Sequence, residues 1–319
     1  MKVVLDVLWL LVKVLALVVW SWVKWLLPER RKSLTGETVL VTGAGSGIGR
    51  LMAVKFAERG CKLVLWDVNQ KANEETGAMV KKAGGKALCY KVDVSKKQVV
   101  DQAAAKVKQD IGNITILVNN AGIVVGQSLL DLTEDEFTQT MSINTMAHVW
   151  TLKAFLPDMM KRNRGHVVTV ASVMSFMGLP KLSDYSASKG AARAIHEAVQ
   201  REVLQAGADK INFTLVCPYL MHTGMFSGVK IEHESLLEGL DPEYAAERIL
   251  QAVQTNQAVL CMPRTMYLFV AASMILPVNC FYVIEKFFNV WGAMDQFVGR
   301  GKLKFSDLPR RSVTRSPRK

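Results

Sequence analysis

Short runs of β-branched and other apolar residues alternate along the middle of the chain with longer stretches of helical periodicity. The apolar runs predict strands at residues 38–42, 62–66, 86–91, 114–118, 166–171, 211–216 and 258–262, with helix-length intervals such as 48–59 and 69–83 between them. That alternation is the signature of a doubly wound parallel sheet, whose strands are buried on both faces and so read as continuous apolar runs. No internal repeat and no linker rich in Gly, Pro or Ser interrupts the pattern, which predicts a single α/β domain over residues 36–262.

The pattern changes at both ends. Residues 3–27 are almost wholly apolar, and as a helix they would reach about 37 Å, enough for a bilayer core. Asp6, Lys13 and Lys24 interrupt the run, and with Lys2 they fall on one narrow stripe of the helical wheel. Trp9, Trp20, Trp22 and Trp25 lie elsewhere around it, so a spanning helix and a helix lying in the interface with snorkelling lysines are equal readings. No small-residue cleavage site follows, and Pro28-Glu29-Arg30-Arg31-Lys32 comes next. Residues 1–28 are therefore expected to be a retained membrane anchor, with the basic cluster holding the next domain on the cytosolic side. A second apolar stretch, residues 266–284, has no charged residue but contains Pro277, where a helix loses a hydrogen bond. It reads either as part of a membrane-associated apolar region over 263–299 or as a pair of ordinary core helices.

Composition sharpens this only in part. Half of the 319 residues are apolar, which allows a sizeable core. The net charge of +12 is uneven: residues 300–319 hold eight Lys/Arg against Asp307, leaving +5 for the other 299 residues. A basic tail on a chain with apolar anchors points to anionic lipid or simple solvation before nucleic acid. Five cysteines, Cys61, Cys89, Cys217, Cys261 and Cys280, are odd in number and lack metal-ligand spacing, which argues for a reducing compartment and against a disulfide framework or a zinc site.

The first predicted strand runs into Thr42-Gly43-Ala44-Gly45-Ser46-Gly47-Ile48-Gly49, with a helix after it. In that context the glycines allow a tight turn, a close approach to a pyrophosphate, and helix N–H groups aimed at its charge. The arrangement makes the sheet Rossmann-type. Asp67 ends the second strand, where an acid accepts hydrogen bonds from both ribose hydroxyls and repels a 2′-phosphate, so NAD is preferred over NADP. An acid there also suits capping of the following helix.

Tyr185 and Lys189 are four apart, so on a helix both project from one face, one turn apart. A phenol is a weak base at neutral pH, but an adjacent ammonium and an oxidised nicotinamide would favour its anion. Tyr185 would then take a hydroxyl proton while hydride leaves the same carbon. Ser172, at the end of the fifth strand, would hold the substrate oxygen.

These residues together resemble the short-chain dehydrogenase/reductase superfamily, from about residue 36 to residue 262. Its coenzyme loop matches residues 42–49, and its Asn-Asn-Ala-Gly motif matches Asn119, Asn120, Ala121 and Gly122. The resemblance implies coenzyme contacts from Gly43, Ser46, Gly47, Ile48, Gly49, Asp67, Asp93, Val94, Asn120, Tyr185, Lys189, Pro218 and Thr223. It also implies that Asn144 joins Ser172, Tyr185 and Lys189 in a catalytic tetrad, holding a water that links Lys189 to solvent. Where the family has Pro-Gly after strand six, this chain reads Pro218-Tyr219, which leaves the local loop geometry open. A homodimer is expected from family likeness alone.

Residues 65–69, Asn73-Glu74-Glu75-Thr76, residues 153–157, Thr223-Gly224-Met225-Phe226 and Met294-Asp295-Gln296-Phe297 further resemble the microsomal retinol dehydrogenase branch, its epidermal type nearest. An acid at position 67 then implies NAD and oxidation of all-trans-retinol to retinaldehyde at the endoplasmic reticulum membrane. Residues 221–229 would form an apolar rim at the bilayer. The alternatives are a 17β-hydroxysteroid or other lipid-alcohol dehydrogenase on lipid droplets and, in another class, a scaffold that holds NAD without turnover. A complete Ser-Tyr-Lys set argues against the scaffold, which has no need of a proton relay.

Overall fold

The computed structural model describes residues 2–26, 30–233 and 238–299, and the basic tail lies outside them. Two compact units emerge, residues 1–33 and 34–319. In the first, α1 (Lys2–Leu26) is one unbroken helix. Its apolar positions from Val3 to Trp20 are exposed, and the Lys13 ammonium sits 5.0 Å from the centre of the Trp9 ring. By length and composition the Lys2–Trp20 stretch is long and apolar enough to cross a membrane.

The second unit is built on seven parallel strands: β1 (Thr38–Thr42), β2 (Lys62–Asp67), β3 (Lys86–Lys91), β4 (Ile116–Asn119), β5 (Gly165–Val170), β6 (Ile211–Pro218) and β7 (Val259–Met262). Their order is β3-β2-β1-β4-β5-β6-β7. Alternate residues of each strand feed two separate cores. Val39, Val41, Leu63, Leu65 and Val118 pack with α2 (Gly47–Glu58) and α8 (Pro242–Gln254) on one face. Leu40, Val64, Trp66 and Leu117 pack with α4 (Lys97–Asp110) and α6 (Ala147–Arg162) on the other. This period-two division is why the central strands are largely apolar.

Strand order reverses between β1 and β4, and their carboxyl ends open the crevice where ligands of such sheets bind. The remaining helices are set around it by local signals. Asn69 caps α3 (Gln70–Lys82) by accepting from the Ala72 N–H, and a Thr133/Glu136 capping box starts α5 (Glu134–Met141). Between α5 and α6 the helix widens into a π turn over Ser142–Met146, a geometry that recurs at functional sites. α7 (Ser183–Gln205) runs beneath β5 and β6.

Beyond β7 the second apolar stretch forms α9 (Thr265–Ile275) and α10 (Val278–Phe287), broken at Leu276-Pro277 as expected from the proline. They are not core helices. Met266 and Phe281 are buried, but Leu268, Ile275 and Val283 are 75 %, 80 % and 69 % exposed. Phe269 and Phe281 hold the two helices together edge-to-face, with ring centres 5.3 Å apart.

Candidate active site

The turn between β1 and α2 is shaped by atoms that leave no room for side chains. A Cβ on Gly49 would collide with the Gly43 carbonyl, and one on Gly45 would stand 2.9 Å from the Asp67 carboxylate. Gly43 and Gly47 have positive φ, the region that disfavours other residues. Ser46, at the N-cap of α2, makes no side-chain capping bond, so the first N–H groups of the helix face the cleft without that partner. Asp67 spans the crevice edge: Oδ2 accepts from the Gly45 N–H at 2.8 Å and Oδ1 from the Asn69 N–H at 2.8 Å. Asn69, not Asp67, caps α3.

Asn120 braces the loop from the β4 side. Its Nδ2 donates to the Thr42 carbonyl at 2.9 Å, while its N–H and that of Ala121 donate to Thr42 Oγ1. Asn119 is tied into the sheet by a bond from Thr151 Oγ1 at 2.7 Å. Asp93 accepts from the Ser95 N–H and hydroxyl, and Asp93 and Val94 line the cleft beside Gly43, Ser46, Ile48, Gly49 and Asp67. These donors, bare glycines and acceptors form a cradle suited to a dinucleotide.

Ser172, Tyr185 and Lys189 meet on the same cleft, next to Pro218 and Thr223. Ser172 follows β5 and opens a short 3-10 turn, its Oγ accepting from the Met174 N–H at 3.1 Å. Tyr185 and Lys189 are both buried on α7, with Lys189 Nζ 5.8 Å from the Tyr185 ring centre. Lys189 donates to the Val170 carbonyl at 2.8 Å. Asn144 lies behind them, in the π turn. Its Oδ1 accepts from the Ile123 N–H, and its Nδ2 donates to the Ile123 carbonyl and to Ser188 Oγ. A Cβ on Gly122 would lie 3.2 Å from Asn144 Oδ1 and 3.4 Å from Lys189 Nζ, so the bare glycine is what lets these groups approach.

Two details add to the sequence-based picture. Burial pushes the Tyr185 phenol up to about 12, offset only in part by its hydrogen bond with Ser172. Burial also pulls the Lys189 ammonium down to about 8. The lysine alone therefore does not acidify the phenol. Asn144 donates both amide hydrogens within the protein, to the Ile123 carbonyl and to Ser188 Oγ, so its side chain ties residue 123 to α7.

The cleft has a volume of about 930 Å³ and two characters. One end holds the glycines, Asp67 and Asp93. The other is walled by Met225, Phe226, Val229, Met266, Phe269 and Met294. Phe226 packs edge-to-face on Tyr185 with centres 5.7 Å apart. Of the candidate site residues, all but Gly47 and Asn144 line the cleft. Sequence reasoning missed the contributions of Ser188, the Val170 carbonyl and Met294. The first is signalled by its place inside the Tyr185–Lys189 turn, whereas the other two depend on tertiary approach.

The chain resembles known proteins in both sequence and fold. The model of the short chain dehydrogenase family matches residues 37–234. The chain is 40 % identical over 311 residues to "Retinol dehydrogenase 10-B" of Danio rerio, covering 89 % of this chain and 93 % of that protein. It is 41 % identical over 278 residues to "Epidermal retinol dehydrogenase 2" of Homo sapiens, covering 87 % and 90 %. Among solved structures, a short chain dehydrogenase/reductase from Burkholderia phymatum in complex with NAD superposes with a TM-score of 0.69 at 24 % identity, over 79 % of this chain and 96 % of that one. An alcohol dehydrogenase from Thermococcus sibiricus complexed with 5-hydroxy-NADP gives 0.63 at 26 % identity, over 71 % and 94 %.

Proposed function

The chain belongs to the short-chain dehydrogenase family, and from that premise we propose that it moves hydride from the carbinol carbon of a lipophilic alcohol to NAD, converting all-trans-retinol to retinaldehyde. The observation that carries this reading is the meeting of Ser172, Tyr185 and Lys189 between a dinucleotide cradle and an apolar half-cleft. Relatives about 40 % identical along most of both chains are named retinol dehydrogenases, which supports a retinoid over a steroid. When bound, the nicotinamide ring supplies a hydride acceptor and a positive charge beside the phenol.

The cradle residues Gly43, Ser46, Gly47, Ile48, Gly49, Asp93, Val94 and Asn120 would hold the coenzyme, and Pro218 and Thr223 would meet its nicotinamide end. Asp67 favours NAD because its carboxylate repels a 2′-phosphate. Ser172 Oγ and the Tyr185 hydroxyl hold the substrate oxygen, and Tyr185 in its phenolate form takes the hydroxyl proton as the carbonyl forms. Lys189, fixed by the Val170 carbonyl, keeps positive charge beneath the phenol. Asn144 fixes the turn behind it and serves the tetrad as a positioning residue.

Initial rates of membranes carrying the protein, with NAD and a panel of all-trans-retinol, a 17β-hydroxysteroid and long-chain alcohols, test the proposal. Retinol is expected to be the fastest substrate. A faster steroid overturns the substrate, and no turnover of any alcohol overturns the reaction. Replacing Asp67 with Ala removes two charge-assisted bonds as well as the ribose acceptor. The Michaelis constant for NAD should rise about tenfold or more, with the preference against NADP reduced. An unchanged constant would discard the assignment.

The length and apolarity of α1 and the exposed apolar residues of α9 and α10 support association with a membrane, the endoplasmic reticulum with the catalytic unit on the cytosolic side being the site proposed, and lipid droplets the alternative. After carbonate extraction the intact chain is expected to stay with the membrane pellet. Release into the supernatant would defeat the anchoring.

A further inference from the structure

Residues 293–299 lie beyond the family match and beyond the last strand, yet they return to the active site. Met294 is 5 % exposed, lines the cleft, and is buried together with Leu182 and Tyr185. Phe297 packs against the same cluster. Both rest on one bare backbone position: Gly126 has φ +78°, and a Cβ there would run into the Phe297 ring and stand 3.1 Å from Met294 Cε. On the other side Gly228, with φ +87°, admits the Gln296 carbonyl into space that any side chain would fill.

The segment is pinned along its length. The Lys230 N–H donates to the Ala293 carbonyl at 3.1 Å, and the Val298 N–H to the Ser227 carbonyl at 2.9 Å. Between them Lys181 Nζ meets Asp295 Oδ1 at 2.7 Å. The partners come from three separate places, the loop after β4, the approach to α7 and the loop after β6. A strap tied to all three and turned inward at Met294 forms a wall of the cleft beside the catalytic phenol.

We propose that Met294 is a specificity-determining residue, seated by Phe297 on Gly126, whose thioether forms the apolar wall against which a long, flat hydrocarbon lies while its hydroxyl reaches Tyr185. This rests on the reading of the cleft as a lipophilic-alcohol site. A short alcohol reaches the phenol without touching that wall, whereas a conjugated or ring-fused chain buries a face on it. Methionine suits such a surface because its unbranched, polarisable side chain packs well on π systems. Phe297 acts through Met294 and is a positioning residue.

The test uses the full chain in detergent micelles, comparing kcat/KM for all-trans-retinol and for octanol in the wild type, Met294→Ala, Phe297→Ala and Lys181→Ala, with NADH binding by fluorescence as the check of folding. Met294→Ala and Phe297→Ala should lower kcat/KM for retinol about tenfold, the size expected for loss of a few apolar contacts, and change octanol far less. Lys181→Ala loosens the strap from outside and should shift the same ratio in the same direction even where a core variant fails to fold. An unchanged retinol-to-octanol ratio in variants that bind NADH normally overturns the proposal. A wild type that oxidises neither alcohol instead refutes the reaction on which it rests.

Discussion

Tyr185→Phe should lower kcat for alcohol oxidation by about 10²–10⁴, the usual worth of a positioned acid–base group, while leaving coenzyme binding intact. The substitution deletes one oxygen and keeps the ring. That ring is held by Leu182 and Met294 and by the edge-to-face contact with Phe226, none of which involves the hydroxyl. What is lost is the hydrogen bond with Ser172 and the atom that receives the substrate proton. Because burial holds the phenol up near 12 before coenzyme binds, the wild-type rate should also climb with pH as the phenolate becomes accessible, and any residual rate of Tyr185→Phe should lack that climb. Steady-state assays across pH, beside an NADH fluorescence titration, read both effects. A variant with full activity would remove Tyr185 from the chemistry.

The seven strands were legible because most are buried on both faces and appear as largely apolar runs, the edge strand β3 being the exception; the ends move by two residues or fewer, as at Ile116 and Pro218. The glycine-rich turn after β1 and the Tyr185–Lys189 pair were legible because their partners are close in sequence or in helical spacing. What could not be read there depends on distant approach. Met294 is placed by Gly126, and Asp295 by Lys181, 114 residues earlier. The direction of the Tyr185 shift was equally hidden, since the spacing to Lys189 says nothing about how deeply the phenol is buried or that the ammonium turns to Val170. In residues 266–284 apolarity alone fits a core or a surface, and only the observed exposure argues against a core.

The same burial that shapes the site should make the fold sensitive to acid. His148 on α6 is buried, and neither ring nitrogen has a hydrogen-bond partner among the described residues. Burial, with Lys189 and His196 adding positive charge nearby, lowers its pKa to about 3. His196 on α7 is also buried, with Nδ1 2.9 Å from Thr169 Oγ1, and burial lowers it to about 4. In both cases the folded value lies below the unfolded one near 6.5, so the unfolded chain binds the extra protons. Stability from these groups is therefore complete above pH 6.5 and falls as pH drops through 6.5 toward about 4 for His196 and about 3 for His148. At pH 5 each histidine should cost about 2 kcal/mol, together about 4 kcal/mol, a large share of the usual 5–15 kcal/mol. Urea unfolding at pH 7.5 and pH 5 should show that loss. In His148→Phe and His196→Phe the difference between the two pH values should shrink by about half each, whatever the variant's stability at neutral pH. If the pH dependence survives in both variants, the acid sensitivity belongs to other groups and the two histidines are not held neutral in the fold.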